Sequence, residues 1–390
     1  MKRYTWLTLA CGLLALAQTA CEDAANDAID NLLYINEAST SKMEEISLQK
    51  GTDTRTSVTV RLAQATDHDV TAELFMDKSI LESYNKKNET NYQMPLDGTV
   101  SFPEKITIAA GSVSAEPVNI DIASFTPEGG AQYAIPLAVK SVTGIDKSEA
   151  SSHYLLALVT PLEQQVPKFN YTNAMQAAPA EEWNMVMPNY TLEWWCKMSG
   201  FSVNNQAIFN SGSESSELYI RFGDLVYGNN FKYLQVKTMG GQMDTGDPNE
   251  TPLEADVWYH FALSFDAASG VSTLYQNGNV VGTVNSGAGT SMKIDKLQMI
   301  SSGAAYFRDN CELCQVRLWK TTRTANQIKK NMYKEVDYGN KDLVLYLPMN
   351  EGNGITLNDV TGNGHDVVIG NMPGNGSSSS VSWASYTFAK

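Results

Sequence analysis

The sequence predicts an all-β protein made of two consecutive β-sandwiches. Short runs of alternating apolar and polar residues recur along the 390-residue chain and are separated by Gly, Pro and Asp, a pattern typical of half-buried strands joined by turns. The stretch Val257–Thr283 contains two such runs around Asn277-Gly278, a dipeptide that favours type I′ hairpins. Pro161 and Pro167 interrupt the pattern, which indicates a domain boundary.

The N-terminus has the layout of an export signal. Lys2 and Arg3 are followed by an apolar run and then by the small-residue site Gln18–Cys21. It resembles a bacterial lipoprotein signal, which implies that residues 1–20 are removed and that Cys21 carries the lipid. An ordinary signal peptide with a cysteine nearby is the alternative.

The residues after Cys21 carry a further resemblance. Glu22-Asp23 resembles the acidic export tag of surface-exposed lipoproteins in Bacteroidetes. The resemblance implies a protein held at the outer membrane by lipid and exposed at the cell surface, with residues 21–31 as a tether. Lipid chains bury enough apolar groups to hold a domain at a membrane.

The first domain is predicted over residues 32–161 as an immunoglobulin-like β-sandwich. One helix interrupts it at Lys78–Lys87, with Asp77 as its N-cap. The expected strands are Leu33–Ile35, Ser57–Leu62, Val70–Met76, Lys105–Ile108, Val118–Ile122, Tyr133–Val139 and Tyr154–Val159. The strand V-T-V-x-L, the helix with L-x-x-Y-N-x-x-N-x-T-x-Y and the hairpin I-T-I-x-x-G-x-x-S resemble a DUF1735-type domain of Bacteroidetes glycan-utilisation proteins, which implies a spacer next to the lipid anchor.

Residues 162–168 are expected to be a linker, and residues 169–390 to form the second domain. Three segments of it carry a resemblance: W-x-H-x-A-x-x-x-D with L-Y-x-N-G-x-x-x-G, then Cys314–Ile328, then Leu343–Asp366 with its D-x-T-G-N-G. In this order they resemble a laminin-G-like, concanavalin-A-type jelly roll. The resemblance implies the fold and says less about the ligand, because this fold carries lectins, hydrolases and scaffolds alike.

Strand alternation predicts which side chains of the second domain face outward. Aromatic rings stack on sugar C–H faces, while guanidinium and amide groups meet the hydroxyls. The outward residues with these properties are Trp195, Tyr219, Arg221, His260, Arg317 and Trp319. If their strands share one sheet, they form an open carbohydrate-binding surface. The alternative is that outward aromatics lie under a loop or against the first domain.

Three loops form a second candidate surface, because they are rich in Asn, Gly and aromatic residues. They are Phe201–Asn205, Tyr227–Tyr233 and Trp183–Tyr190.

A calcium site is one interpretation of Asp359, Asn363 and Asp366, since oxygen ligands in a Gly-containing turn suit this ion. The spacing does not follow the twelve-residue calcium loop, and Asx-turn capping explains the same residues without an ion. No other cofactor is expected.

Cys11 lies in the segment expected to be removed, and Cys21 is expected to carry the lipid. The cysteines that remain for the folded domains are Cys196, Cys311 and Cys314. Alternation places Cys196 with Trp194, and Cys314 with Val316 and Leu318, on the core side of their strands. We therefore expect buried thiols or at most one disulfide.

Composition and the absence of catalytic motifs reduce the number of functional classes that the sequence supports. A formal net charge of −15 argues against a nucleic-acid partner. The nearest match to the glucanase motif E-x-D-x-x-E starts at Glu335 and lacks the second Glu. The sequence thus predicts a non-catalytic glycan-binding protein. Resemblance implies an accompanying outer-membrane transporter of the starch-utilisation type; a glycoside hydrolase and a protein-interaction module of that complex are the alternatives.

Overall fold

The strands divide into two groups that follow each other along the chain. The computed structural model describes residues 30–170, 174–177, 182–211, 217–302, 306–370 and 381–388, with only the backbone of 174–177. In the first domain the elements are β1 (Leu33–Ile35), β2 (Met43–Ser47), β3 (Thr54–Val58), β4 (Val60–Leu62), β5 (Val70–Met76), α1 (Lys78–Asn88), β6 (Tyr92–Gln93), β7 (Val100–Ser101), β8 (Lys105–Ile108), β9 (Val118–Ile122), β10 (Gln132–Ser141) and β11 (His153–Val159).

The first domain is a sandwich of mostly antiparallel strands, in which β2 runs parallel to β11 and β6 runs parallel to β10. Its larger sheet has the order β2-β11-β10-β5-β8 with β6 beside β10, and β3-β9-β7 and β1-β4 form smaller sheets. The alternate apolar residues of these strands form one buried core. The predicted helix is confirmed, because Asp77 Oδ1 accepts the Ser79 N–H at 2.9 Å at its start. Strand β2 was not predicted, since only Ile46 of its five residues is buried.

The second domain contains most of the strands. Its elements are β12 (Leu162–Phe169), β13 (Ala174–Ala177), β14 (Met185–Met187), β15 (Asn189–Met198), β16 (Gln206–Asn210), β17 (Leu218–Phe222), β18 (Leu234–Thr238), β19 (Gly241–Asp244), β20 (Trp258–Asp266), β21 (Val271–Gln276), β22 (Asn279–Asn285), β23 (Met292–Ile294), β24 (Gln298–Met299), β25 (Cys311–Trp319), α2 (Ala325–Asn331), β26 (Leu343–Leu347), β27 (Thr356–Leu357), β28 (Val367–Gly370) and β29 (Ser382–Phe388).

Two eight-stranded sheets face each other in this domain. Sheet I has the order β22-β21-β20-β15-β25-β12-β29, with β26 beside β25, and sheet II has the order β19-β18-β17-β16-β24-β13-β28-β27. Their inner faces share one core, in which Trp194 of sheet I packs edge-on against Phe209 of sheet II at 5.1 Å between ring centroids. The meander is confirmed: Gln276 pairs with Asn279, and Asn277 and Gly278 have φ of 51° and 75°, as a type I′ turn requires.

The segment expected to be a linker is a strand instead. Residues 162–168 lie in β12, which pairs with β29 from Leu162 to Lys168 and reaches β25 at its end. Pro167 is tolerated there because the register with β29 continues through it and pairing with β25 covers only Lys168 and Phe169. The two domains are therefore joined by Thr160 and Pro161, between β11 and β12.

A bulge in β25 changes which residues share a face. Gln315 has φ of 54°, and the pairing between β15 and β25 shifts between Glu193 and Trp195. Residues opposite each other in a ladder point to the same side, so Cys314, which pairs with Trp195, lies on the Trp195 side. The predicted grouping of Cys314 with Val316 and Leu318 is wrong, because strict alternation does not hold across the bulge.

A segment after β25 packs between the domains. Residues 324–338, which include α2, are called the covering segment here. Towards the first domain, Lys334 Nζ lies 2.8 Å from Glu45 Oε1, Gln132 Nε2 donates to Glu335 O at 3.2 Å, and Tyr338 N donates to Gly129 O at 2.8 Å.

Across the residues that the structure describes, none of the helices has the length and apolarity needed to cross a membrane.

Candidate functional site

Four of the six predicted sugar-contacting residues belong to sheet I and are buried. Trp195 lies opposite His260 of β20, and Arg317 and Trp319 follow on β25. Trp195 is 3% exposed and Arg317 is 1% exposed. They share the outer face of the sheet, as alternation predicts, but the face is closed.

The covering segment closes this face over Trp195. The indole Nε1 donates to Met332 O at 2.7 Å, and the ring contacts Tyr333 at 5.4 Å and Phe388 at 5.2 Å between centroids. A sugar ring has no access to a side chain enclosed in this way. The predicted open surface is therefore wrong for sheet I, and the alternative, aromatics lying under other parts of the chain, is what the structure has.

Arg317 holds the covering segment from below. Its guanidinium donates to Asn331 O at 3.1 Å, to Lys334 O at 2.5 Å and to Gln315 Oε1 at 2.6 Å. Asn331 O at the end of α2 needs such a donor, because it has no partner within the helix, and Lys334 O lies just beyond that end. Arg317 is thus a structural residue.

An ion pair that the sequence did not reveal lies beneath the same segment. Glu193 is fully buried, and Arg323 Nε lies 3.1 Å from its Oε1. The Arg323 guanidinium also stacks over Trp319 at 4.0 Å. His260 Nε2 lies 3.7 Å from Glu193 Oε2, but burial, together with Arg317 and Arg323, lowers the pKa of His260 well below its usual value. His260 is therefore neutral and packed at neutral pH.

Tyr219 and Arg221 lie elsewhere, on the outer face of sheet II. Both are half-buried on β17, while Leu218, Ile220 and Phe222 between and beside them point into the core. The ladder extends this face over four strands as two rows, named here the β17 face. One row is Ala207, Arg221, Gln235 and Asp244, and the other is Asn210, Tyr219, Lys237 and Gln242.

Arg221 is held rigidly at the centre of the β17 face. Its Nε donates to Gln235 Oε1 at 3.0 Å and its Nη1 to Asn205 Oδ1 at 3.0 Å. Its Nη2 donates to Gln235 Oε1 at 2.6 Å and to the Asp224 carboxylate. A guanidinium fixed at three acceptors positions its neighbours without rotamer freedom.

Tyr219 lies beside Arg221 and shares its partner. The phenol donates to Asn205 Oδ1 at 2.9 Å, and the Arg221 guanidinium lies 5.8 Å from the ring centroid. Burial raises the pKa of the Tyr219 hydroxyl, and Arg221 opposes the rise. The neutral phenol therefore offers one ring face and one hydroxyl at the surface.

Two of the three predicted loops border the β17 face. Phe201–Asn205 supplies Asn205, and in Tyr227–Tyr233 the Tyr227 hydroxyl lies 3.3 Å from Asp244 Oδ2. Tyr233 accepts the Asp224 N–H at 2.8 Å. Trp183–Tyr190 lies apart from them, and the Trp183 ring contacts the His365 ring in a tilted arrangement at 4.6 Å between centroids.

Sequence reasoning missed Asp224, Gln235 and Asp244 of this face. Gln235 and Asp244 are outward positions of β18 and β19, which alternation of Leu234–Thr238 could have found. Gln235 is fully buried, and no acceptor for its Nε2 lies among the described residues. A buried amide N–H without an acceptor costs free energy of folding. It therefore marks a position where a bound ligand could supply the missing acceptor.

The predicted calcium residues form a turn in which the Asp359 carboxylate and one oxygen of Asp366 accept hydrogen bonds from the chain. Asp359 Oδ1 accepts from Tyr346 N and Thr361 N, both at 3.1 Å, and Asp366 Oδ1 accepts from Asp359 N at 2.8 Å. Asn363 Nδ2 donates to Val344 O at 3.1 Å. Across the described ranges, no group of three or more His, Cys, Asp or Glu could hold a metal ion. The residues fit the Asx-turn interpretation and do not fit calcium.

The three cysteines of the second domain are buried free thiols. Burial raises the pKa of Cys311 and Cys314 well above the usual value, so thiolate is not formed at neutral pH. Cys21, predicted to carry lipid, lies outside the described residues.

A cavity of about 700 Å³ lies between the domains and is lined in part by Gln49, Phe125, Gln132, Lys334 and Glu335. It contains none of the predicted site residues.

Family models match both domains. Residues 170–329 match the model described as the concanavalin A-like lectin/glucanases superfamily, and residues 29–146 match one described as an N-terminal domain. The prediction of an all-β chain with a concanavalin-A-like second domain is confirmed. No curated protein matches the chain.

Among solved structures, the chain is similar to one from Bacteroides ovatus provisionally described as a carbohydrate-binding protein. The identity is 21%, 92% of this chain and 99% of that chain are covered, and the TM-score is 0.59, so the likeness concerns the fold. EndoBT-3987 of Bacteroides thetaiotamicron, solved with Man5GlcNAc product, shares 23% identity over 33% of this chain and 30% of that chain at a TM-score of 0.29. A SAP-like pentraxin from Limulus polyphemus shares 13% over 43% and 80%, at 0.32.

Proposed function

We propose that the protein binds glycan non-covalently through the β17 face. The observation that carries this proposal is the pairing of a half-exposed ring, Tyr219, with a guanidinium and amides that are already fixed in place by Asn205, Gln235 and Asp224. A sugar presents C–H faces and hydroxyls together, and this combination of groups meets both. The lectin superfamily match and the description of the Bacteroides ovatus protein support the proposal.

Binding is proposed to occur without cleavage. The carboxylates on the outer face of sheet I are buried and paired, Glu193 with Arg323 and Glu312 with Lys197. On the β17 face itself, Asp224 is paired with Arg221 and Asp244 accepts from Gly246 N. A general acid and a nucleophile must instead be free to reach the scissile bond.

We propose further that the protein works at the cell surface, anchored through Cys21, as a glycan-binding partner of an outer-membrane transporter in a polysaccharide-utilisation system. The signal-like N-terminus and Glu22-Asp23 support this localisation.

Tyr219→Ala tests the binding site. Loss of the ring removes the stacking surface, so retention on a glycan affinity gel is expected to fall at least about fivefold, or roughly 1 kcal/mol. Tyr34→Ala is the matched control, because Tyr34 is a half-buried tyrosine on β1 of the first domain. Equal retention of both variants would remove Tyr219 from the site, and release of reducing ends by the unaltered protein would contradict binding without cleavage.

A further inference from the structure

Arg221 is the central cation of the β17 face, but it cannot offer its fork to a ligand. Gln235, Asn205 and Asp224 already occupy donors on Nε, Nη1 and Nη2. Carboxylate and sulfate groups are recognised by two parallel N–H donors of a free guanidinium. Arg221 therefore orders the face without supplying an anion site.

Carboxylates flank Arg221 on both sides. Asp224 pairs with it directly, and Asp244 ends the same row two strands away. Their negative charge affects the tyrosines nearby. Burial raises the pKa of Tyr233 to about 12, and the Asp224 and Asp244 carboxylates contribute to this rise. Burial, then Asp244 and Asp247, raises the pKa of Tyr227. An anionic group placed here would meet like charge.

Lys237 is the remaining cation of the two rows. It is half-buried between Tyr219 and Gln242, and it has no ion pair among the described residues. A single lysine next to solvent contributes little, about 1 kcal/mol at most, to binding an anion. The net charge of −15 on the whole chain opposes such a ligand at longer range.

We infer that the β17 face selects uncharged glycans and rejects those that carry uronate or sulfate groups. This inference rests on the proposed function. Hydroxyls of a neutral sugar can donate to Asp224, to Asp244 and to the phenol oxygens of Tyr219 and Tyr227, whose own protons go to Asn205 and Asp244. A sugar oxygen can accept from Gln235 Nε2. Of the cations in the two rows, only Lys237 could pair with an anionic substituent, since the Arg221 guanidinium is already held by Gln235, Asn205 and Asp224.

The test is a glycan array that presents neutral, uronate-containing and sulfated glycans to the full chain at low and at physiological salt. Binding confined to neutral glycans, with little dependence on salt, supports the inference, because no counterions are released. Binding of acidic glycans as tight as that of neutral ones would overturn the inference while leaving the proposed function intact. Binding to no glycan would overturn the proposed function and the inference with it.

Two charge variants test whether the charges of the β17 face cause the rejection of anionic glycans. Asp244→Asn keeps an oxygen acceptor for Gly246 N, which donates to Oδ1 at 3.0 Å, but removes the charge. Its retention of carboxymethyl cellulose relative to hydroxyethyl cellulose is expected to rise at least about threefold. Lys237→Gln is expected to lower that ratio. An unchanged ratio in Asp244→Asn would show that Asp244 does not exclude anions and would overturn the electrostatic argument.

Discussion

Trp195 and Tyr219 offer the same kind of aromatic surface in opposite settings. Both point to the outer face of their sheet, as the alternation along their strands predicts. Trp195 is enclosed by the covering segment and bonded to Met332 O, whereas Tyr219 stays half-buried with its hydroxyl on Asn205. The difference arises from what packs on each sheet, so the same substitution has different consequences at the two positions.

We predict that Trp195→Ala destabilises the protein by about 3 to 5 kcal/mol, because a large buried ring is removed and a cavity is left. Urea denaturation followed by intrinsic fluorescence or circular dichroism measures the loss. Tyr219→Ala, at a half-exposed site, is the control and is expected to cost about 1 kcal/mol. Equal stability of Trp195→Ala and the unaltered protein would mean that the outer face of sheet I is open.

The covering segment is the element that decides the fate of the sheet I face. Thr324 caps its helix, accepting from Gln327 N at 3.2 Å while Gln327 Oε1 accepts from Thr324 N at 2.8 Å, which is a capping box. Below it, Arg317 holds Asn331 O and Lys334 O. On the opposite side, the backbone of the first domain at Gly130 packs closely against the Val336 carbonyl.

Gly130→Ala is predicted to loosen this contact. Gly130 has φ of +69°, and a Cβ there would lie 1.9 Å from Val336 O, so the two domains must separate locally. Gly98 is the matched control, because it has φ of +78° and open space around its Cβ position. Both variants carry the backbone cost of about 1 kcal/mol, and limited proteolysis of the covering segment should accelerate in Gly130→Ala alone. Identical proteolysis of the two variants would contradict a tight contact between the domains.

At the scale of the whole molecule, the first domain packs directly against the covering segment of the second. Lys334 reaches Glu45, Asn91 Nδ2 donates to Asp337 Oδ2 at 2.9 Å, and Tyr338 N bonds Gly129 O. The covering segment that makes these contacts also closes the outer face of sheet I over Trp195. The surface proposed for a ligand, the β17 face, lies on sheet II.

The proposed anchor is tested with the full chain. Cys21→Ser is expected to shift the protein from the membrane fraction to the soluble fraction of the native host, because one acylated residue supplies the apolar groups that hold it. Cys11→Ser is the control and should remain with the membrane, since Cys11 lies in the segment predicted to be removed. Membrane retention of Cys21→Ser would contradict the anchor.

Local sequence determined strands with clear alternation such as β15 and β20, the helix start at Asp77 and the Asn277-Gly278 turn, because these depend on alternation, capping and backbone conformation within a few residues. It also determined that Tyr219 and Arg221 point away from the core. Tertiary structure alone decided that β12 is a strand, since its partner β29 lies more than two hundred residues further along the chain. It likewise decided that Trp195, His260, Arg317 and Trp319 are sealed. Alternation tells which side of a sheet a residue faces, but only packing between distant segments tells whether that side meets water.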